Sequence, residues 1–256
     1  MTELPPSAAP DPERESGPRT VDPAPQPGSR QHRVRSYVLR EGRFTDGQRR
    51  AYDKLWPTFG IEAPAGCALD LAQIFGDEVP VRAEIGFGNG EHLAAIAAAN
   101  PRVGYLGIEV HRPGIGRLLQ SLDQAGLTNV RLLRGDAMEV LNQCLGDACL
   151  EGLYVLFPDP WPKTRHHKRR LLQADFVAQA VRVLRPGGLL HFATDWADYA
   201  EQTLALLDQT PDLHNQAGPG NFTPRPQSRP LTHFERRGQR LGHRIWDLTF
   251  SRRGEE

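Results

Sequence analysis

The 256-residue sequence predicts an α/β fold, a mostly parallel, doubly wound sheet with helices on both faces. Three observations predict it. From Val81 onward, apolar runs of strand length alternate with stretches of helical spacing five times over. Each predicted strand stops at a glycine, an acid or a proline. The chain is also long enough to bury one core of roughly 200 residues, and it shows no internal repeat.

The elements follow in order. Residues 1–32 hold eight of the 22 prolines and no aromatic side chain, a composition that cannot offset its ordering entropy, so they are expected to be a disordered tail. Residues 33–256 are expected to form one domain with basic extensions at both ends. Thr45 is a natural N-cap for a helix running to Leu55 and stopped by Pro57. Strands are then predicted at 81–87, 103–110, 130–133, 150–157 and 189–193. Helices are predicted at 91–99, 115–125, 138–145, 170–184 and 196–207, the fourth ending before Pro186-Gly187-Gly188. Residues 211–230 read as a long loop and 243–252 as a final alternating strand. In a sheet of this kind, ligands gather at the carboxyl ends of the strands.

The first of those ends reads Glu84-Ile85-Gly86-Phe87-Gly88-Asn89-Gly90-Glu91. Three alternating glycines allow a backbone to approach a ligand, although a tight structural turn would use them equally well. A dinucleotide fingerprint wants its third glycine where Glu91 stands, which argues against a nicotinamide oxidoreductase. Glu84 points instead to S-adenosyl-L-methionine, whose amino group needs an acceptor and which has no pyrophosphate. Glu109, closing the second strand, can take both hydroxyls of a ribose, and Asp136, closing the third, an adenine amino group. Each acid alone reads equally as a helix cap. Taken in order, the three match the amine, ribose and adenine of a single adenosyl ligand.

The fourth strand ends in Phe157-Pro158-Asp159-Pro160-Trp161-Pro162-Lys163, where three prolines in five residues stiffen a loop that can hold Asp159 and Trp161 beside a transferable methyl group. Asp195, after the fifth strand, is a candidate to hold an acceptor base or to order a loop, with a helix cap as the plain alternative.

The formal charge of zero, 31 Lys and Arg against 31 Asp and Glu, hides an uneven distribution. Residues 30–50, 163–170 and 225–253 together hold 20 basic and 4 acidic side chains, leaving 11 basic and 27 acidic elsewhere. Such segments can neutralise RNA phosphates if the fold gathers them, and Trp161 or Phe234 could stack an exposed base. Cys67, Cys144 and Cys149 match neither a disulfide framework nor a zinc spacing, and His166-His167 lack further ligands, so no metal is expected. The absence of a 20-residue apolar run and of a signal-like leader makes a cytoplasmic protein the expectation, without a membrane.

Several of these strings resemble the bacterial tRNA (guanine-N7-)-methyltransferases. They are Arg35-Ser36-Tyr37-Val38-Leu39-Arg40, Glu84-Ile85-Gly86-Phe87-Gly88, Gly107-Ile108-Glu109-Val110, the 157–163 string with Arg165-His166-His167-Lys168-Arg169-Arg170, Thr194-Asp195-Trp196, and Thr232-His233-Phe234-Glu235-Arg236-Arg237-Gly238. The resemblance spans roughly residues 33–252. It departs from the usual form at Asn89, Thr164, His167 and His233. It implies a Rossmann-like class I methyltransferase that uses S-adenosyl-L-methionine to methylate N7 of a guanine in the variable loop of tRNA. It further implies that Glu84, Glu109, Asp136 and Asp159, with Gly86, Gly88 and Gly90, form the cofactor site. Asp159 is then also the catalytic candidate. Lys163, the 165–170 run, Asp195 and Thr232, His233, Phe234 and Glu235 become the substrate contacts. A non-catalytic tRNA-binding protein and a nicotinamide-dependent oxidoreductase are the remaining alternatives.

Overall fold

Among the described residues eight strands form one sheet, in the order Gly60–Ile61, Val130–Arg134, Gly104–Glu109, Val81–Ile85, Leu150–Leu156, Leu184–Thr194, Trp246–Arg252 and Leu213–Asn215. The structure, a computed structural model, describes residues 35–37, 44–62, 68–227, 229–230, 235, 242 and 244–254. The expected tail at 1–32, Cys67, and Thr232, His233 and Phe234 lie outside the described residues.

The chain enters through α1 (Asp46–Phe59), capped by Thr45 in a reciprocal box with Gln48. This helix continues through Pro57 rather than stopping there. A proline in the last turn removes only one intrahelical donor, and the following residues are retained because Phe59 is buried and the Gly60 N–H reaches the Trp56 carbonyl. Short elements that periodicity cannot register come next, β1 (Gly60–Ile61) and α2 (Leu71–Phe75).

The alternation then unfolds as expected. The elements are β2 (Val81–Ile85), α3 (Glu91–Ala99), β3 (Gly104–Glu109), α4 (Arg112–Ala125), β4 (Val130–Arg134), α5 (Ala137–Cys144) and β5 (Leu150–Leu156). They continue with α6 (Ala174–Val183), β6 (Leu184–Thr194) and α7 (Ala197–Asp208). Pairings from β1 through β6 are parallel, while β8 (Trp246–Arg252) pairs antiparallel with β6 and with β7 (Leu213–Asn215).

Three further expectations are corrected. The helix foreseen at 170–184 starts only at Ala174 and is preceded by a 3-10 helix at Thr164–Arg169, because Arg170 is extended and buried. Its strand partner begins at Leu184, so Pro186-Gly187-Gly188 lies inside β6. A register shift opposite Leu150 and Gly152 absorbs the interruption, with Gly187 at φ +77°. The 211–230 segment is not all loop, since it carries β7 and a bridge from Thr223 to Asp247, both too short to show a period in sequence.

Alternation along each strand sends side chains to two cores. Leu106 and Ile108 face α5, α6 and α7, whereas Tyr105 and Leu132 face α1, α3 and α4. The strand order reverses between β2 and β5, so the helices after β2 and β5 leave in opposite directions and open a crevice at the strand ends. Among the described residues no helix is long and apolar enough to cross a membrane. Cys144 is buried and Cys149 half-buried, both as free thiols, and burial pushes the Cys149 thiol up to about 11.

Candidate active site

A cavity of about 330 Å³ occupies that crevice, within the size range of small-molecule sites. Its walls come from the ends of β2, β3, β4 and β5 and from Ser36 and Tyr37 ahead of α1.

The floor is the glycine turn. Gly86, Gly88 and Gly90 adopt φ of +68°, +57° and +76°, a region that resists other residues. Gly86 lines the cavity, and a Cβ there would meet no atom within 4 Å, so any side chain would intrude on the ligand space. Helix α4 approaches so closely that a Cβ on Gly114 would lie 2.1 Å from the Gly88 carbonyl oxygen. Gly90 does not reach the cavity wall. It closes the turn, donating to the Phe87 carbonyl at 2.8 Å, and caps α3.

The acids separate into distinct settings. Glu109 lines the cavity and accepts three backbone N–H groups, from Gly88 at 2.9 Å, Val110 at 2.7 Å and His111 at 3.0 Å. Burial raises its pKa, and those three hydrogen bonds oppose the rise. Asp136 is the N-cap of α5, its Oδ1 accepting from Met138 at 2.9 Å and Glu139 at 3.2 Å. Its neighbours Gly135 and Ala137 line the cavity. The helix-cap reading of Asp136 is therefore realised, and Oδ2 takes no partner among the described residues. Glu84 lies outside the cavity lining, because its carboxylate is turned into the protein and paired with His92 Nδ1 at 2.7 Å, both residues 3% exposed.

On the opposite wall, Phe157 leaves β5 at φ +53°, its N–H held by the Ala193 carbonyl at 2.8 Å, and Trp161 sits at φ +46°. Between them Asp159 lines the cavity mouth, where the surrounding protein raises its pKa and Arg169 partly offsets the rise. Trp161 is not an open stacking platform. Its Nε1 donates to the Ser36 carbonyl at 3.0 Å, and the Arg169 guanidinium lies 3.7 Å from its ring centroid. Arg169 also reaches the carbonyls of Arg35 at 3.2 Å and Tyr37 at 3.4 Å. One cation–aromatic pair thus stitches the segment ahead of α1 to the proline loop.

Of the basic run, Lys163, Arg165 and Lys168 are exposed, and His166 and His167 are intermediate. The His166 pKa is lowered by desolvation and then by Arg165, Arg169, Lys163 and Lys168. Arg170 is not on that surface. It is 2% exposed, donates to the Pro160 carbonyl at 2.9 Å, pairs with Asp198 and Gln202, and lies 4.8 Å from the Tyr199 ring centroid. In this position it holds the proline loop instead of presenting a charge to RNA. Glu235 is likewise buried, 1% exposed, against Arg225 and Arg229. Asp195 closes β6, beside the loop that follows β5. Among the described residues no group of three or more His, Cys, Asp or Glu is placed to hold a metal.

Sequence reasoning missed Ser36, Tyr37 and His111 as cavity walls, and Arg229 altogether. Ser36 and Tyr37 belong to a recognised string, 35–40, that distance in the chain disconnects from the cavity. Arg229 stands among many arginines without any local mark.

Comparison with known proteins follows the same geometry. The family model Methyltransf_4, described as "Putative methyltransferase", matches residues 78–248. A tRNA (guanine-N(7)-)-methyltransferase of Alkalilimnicola ehrlichii is 55% identical over 221 residues, covering 86% of this chain and 93% of that protein. The protein of the same description from Alcanivorax borkumensis is 50% identical over 232 residues, covering 91% and 97%. Among solved structures, the 16S rRNA methyltransferase KamB superimposes with a TM-score of 0.53 at 16% identity over 77% of this chain and 99% of that one, a likeness of fold. With its cavity at the switch point of the sheet and these relatives over most of its length, the chain belongs to the tRNA (guanine-N(7)-)-methyltransferase family.

Proposed function

We propose that this chain transfers the methyl group of S-adenosyl-L-methionine to N7 of a guanine in the variable loop of tRNA, acting in the cytoplasm. One observation carries the reading: a single cavity has the glycine turn and Glu109 on one wall and Asp159 on the other, and the loop leaving it runs into exposed Lys163, Arg165 and Lys168.

The residues fit the cofactor. The Gly86 turn leaves open the space that a side chain would fill, Glu109 is fixed by backbone donors, and Asp136 keeps one oxygen unspent beside the cavity. When bound, the cofactor supplies an electrophilic methyl group on a sulfonium. Gly86, Gly88, Glu109 and Asp136 would hold it. Glu84, its carboxylate turned into the protein and paired with His92, would act only indirectly, through the strand that carries the turn.

The acceptor side has the simpler chemistry. Guanine N7 is a lone pair on the base edge and carries no proton, so no general base is required. Positive charge grows on the purine during transfer, and an ionised Asp159 favours that charge more than it favours the neutral base. A stiff loop keeps Asp159 in place with little ordering cost, and Arg170 pins that loop at the Pro160 carbonyl. Lys163, Arg165 and Lys168 neutralise phosphates as the tRNA docks. In this reading residues 33–256 form the methyltransferase domain and 1–32 a tail outside it.

The test is incubation of the purified protein with labelled S-adenosyl-L-methionine and unmodified tRNA, followed by nucleoside analysis. Label in 7-methylguanosine is the expected result. Retention of both ligands without transfer would make the chain a non-catalytic binder, and label in another nucleoside would overturn the assignment to N7.

A further inference from the structure

We propose that Arg229 is a positioning residue that couples the buried acids Glu235 and Asp247 to the start of the catalytic loop at Phe157. The inference rests on the proposed tRNA methylation and names a residue that neither the motifs nor the family resemblance marks.

Arg229 is 2% exposed and is a hub for two buried carboxylates. Its Nη1 donates to Glu235 Oε2 at 2.6 Å and its Nη2 to Glu235 Oε1 at 3.1 Å, a two-pronged pairing. The same guanidinium reaches Asp247 on β8, Nη2 to Oδ2 at 3.1 Å and Nε to Oδ1 at 3.0 Å. Asp247 Oδ1 also meets His191 Nε2 on β6 at 2.8 Å, and Arg225 Nε reaches Glu235 Oε1 at 2.9 Å. Arg229, buried with both carboxylates, and the exposed Arg225 at their edge thus face Glu235 and Asp247 together.

The third contact gives this network a bearing on the reaction. The Arg229 guanidinium lies 5.7 Å from the centroid of the Phe157 ring. Phe157 lines the cavity two residues before Asp159 and holds a positive φ of 53°, a conformation that persists only when its surroundings enforce it. One side chain therefore bears on the residue that launches the catalytic loop and on the acid that ends the 232–235 stretch. A shift of Arg229 moves both, so the wall that carries Asp159 and the buried acid pair share one anchor.

Two variants test this. Arg229→Lys keeps the charge but loses the planar fork, and Glu235→Gln keeps an oxygen acceptor while removing one charge. For each, three quantities are measured: tRNA binding without cofactor, S-adenosyl-L-methionine binding by calorimetry, and kcat and KM for methyl transfer. The expected result is a fall in kcat/KM for tRNA of about 10- to 100-fold in Arg229→Lys, with weaker tRNA binding and a cofactor affinity within about twofold of the parent. Glu235→Gln should shift the same quantities by less. Parental kcat/KM for tRNA in Arg229→Lys overturns the proposal, as does a loss of cofactor affinity equal to the loss on tRNA, the pattern of general loosening. If Arg229→Lys does not fold, Glu235→Gln decides by the same criteria. A parent protein that binds tRNA but makes no 7-methylguanosine removes the catalytic reading; tRNA binding unaltered in the variants removes the coupling.

Discussion

The two sides of the cavity are built by different means. On the β2-β3-β4 side, the acids are held by backbone N–H groups: Glu109 by its neighbours Val110 and His111 and by Gly88 of the glycine turn, Asp136 by Met138 and Glu139. On the β5-β6-β8 side, loops are held by arginine side chains, Arg170 on Pro160 and Asp198, Arg169 on Arg35 and Tyr37, Arg229 on Glu235 and Asp247. The first side is rigid by local geometry and suits one small ligand of fixed shape. The second is assembled by charge and, in the proposed reading, is the side that meets a large polyanion.

The largest expected effect falls on the second wall. Asp159→Ala should lower single-turnover methyl transfer by about 10²- to 10³-fold, as the loss of a preorganised charge does elsewhere. The pH profile has a definite sign. Burial raises the Asp159 pKa above the usual 3.8, and transfer uses the ionised form. The rate should therefore fall on acidification through that raised value, and Asp159→Asn should lose this acid limb. A limb of unchanged position in the Asn variant would assign it to another group.

Glu109→Gln sharpens the comparison from the other side. It removes a charged acceptor fixed by three amides, worth about 1.5–3 kcal/mol, so S-adenosyl-L-methionine should bind roughly 10- to 100-fold more weakly in calorimetry while tRNA binding is retained. Loss of tRNA affinity instead would break the division of labour between the two walls.

Arg170→Met should destabilise the protein by about 1–3 kcal/mol, because the Pro160 carbonyl and Gln202 lose a buried donor while Asp198 stays solvated. Thermal denaturation should show a lower midpoint, and transfer should fall more than cofactor affinity. An unchanged midpoint would mean that the loop is held by its prolines alone. The smallest effect is expected at the rim. Neutralising Arg165 and Lys168 should flatten the salt dependence of tRNA binding by about one unit of slope for each phosphate that is no longer neutralised, and an unchanged slope would remove this face from the RNA interface.

The same contrast explains what could be read from the sequence. The alternation after Val81, the glycine turn and the acids at strand ends are local signals, and the sheet with its cavity follows from them. Asp136 shows the limit of such signals, since the capping and ligand readings share one side chain and differ only in which oxygen is used. Arg170, expected to meet RNA from its place in a basic string, and Glu235, expected to do so from the family resemblance, are buried partners of Asp198 and Arg229, because a sequence records charge without recording which way it faces. Ser36 and Tyr37 reach the cavity beside contacts with Trp161 and Arg169, 125 and 132 residues away, a pairing no local pattern encodes.

The acceptor atom itself offers the most direct test. Unmodified tRNA carrying 7-deazaguanine at the target position of the variable loop keeps the shape and charge of the substrate and replaces only N7. The account predicts unchanged binding and no methyl incorporation into that tRNA, against full incorporation into the guanine-containing control. Methylation of the 7-deazaguanine tRNA at the control rate would contradict it.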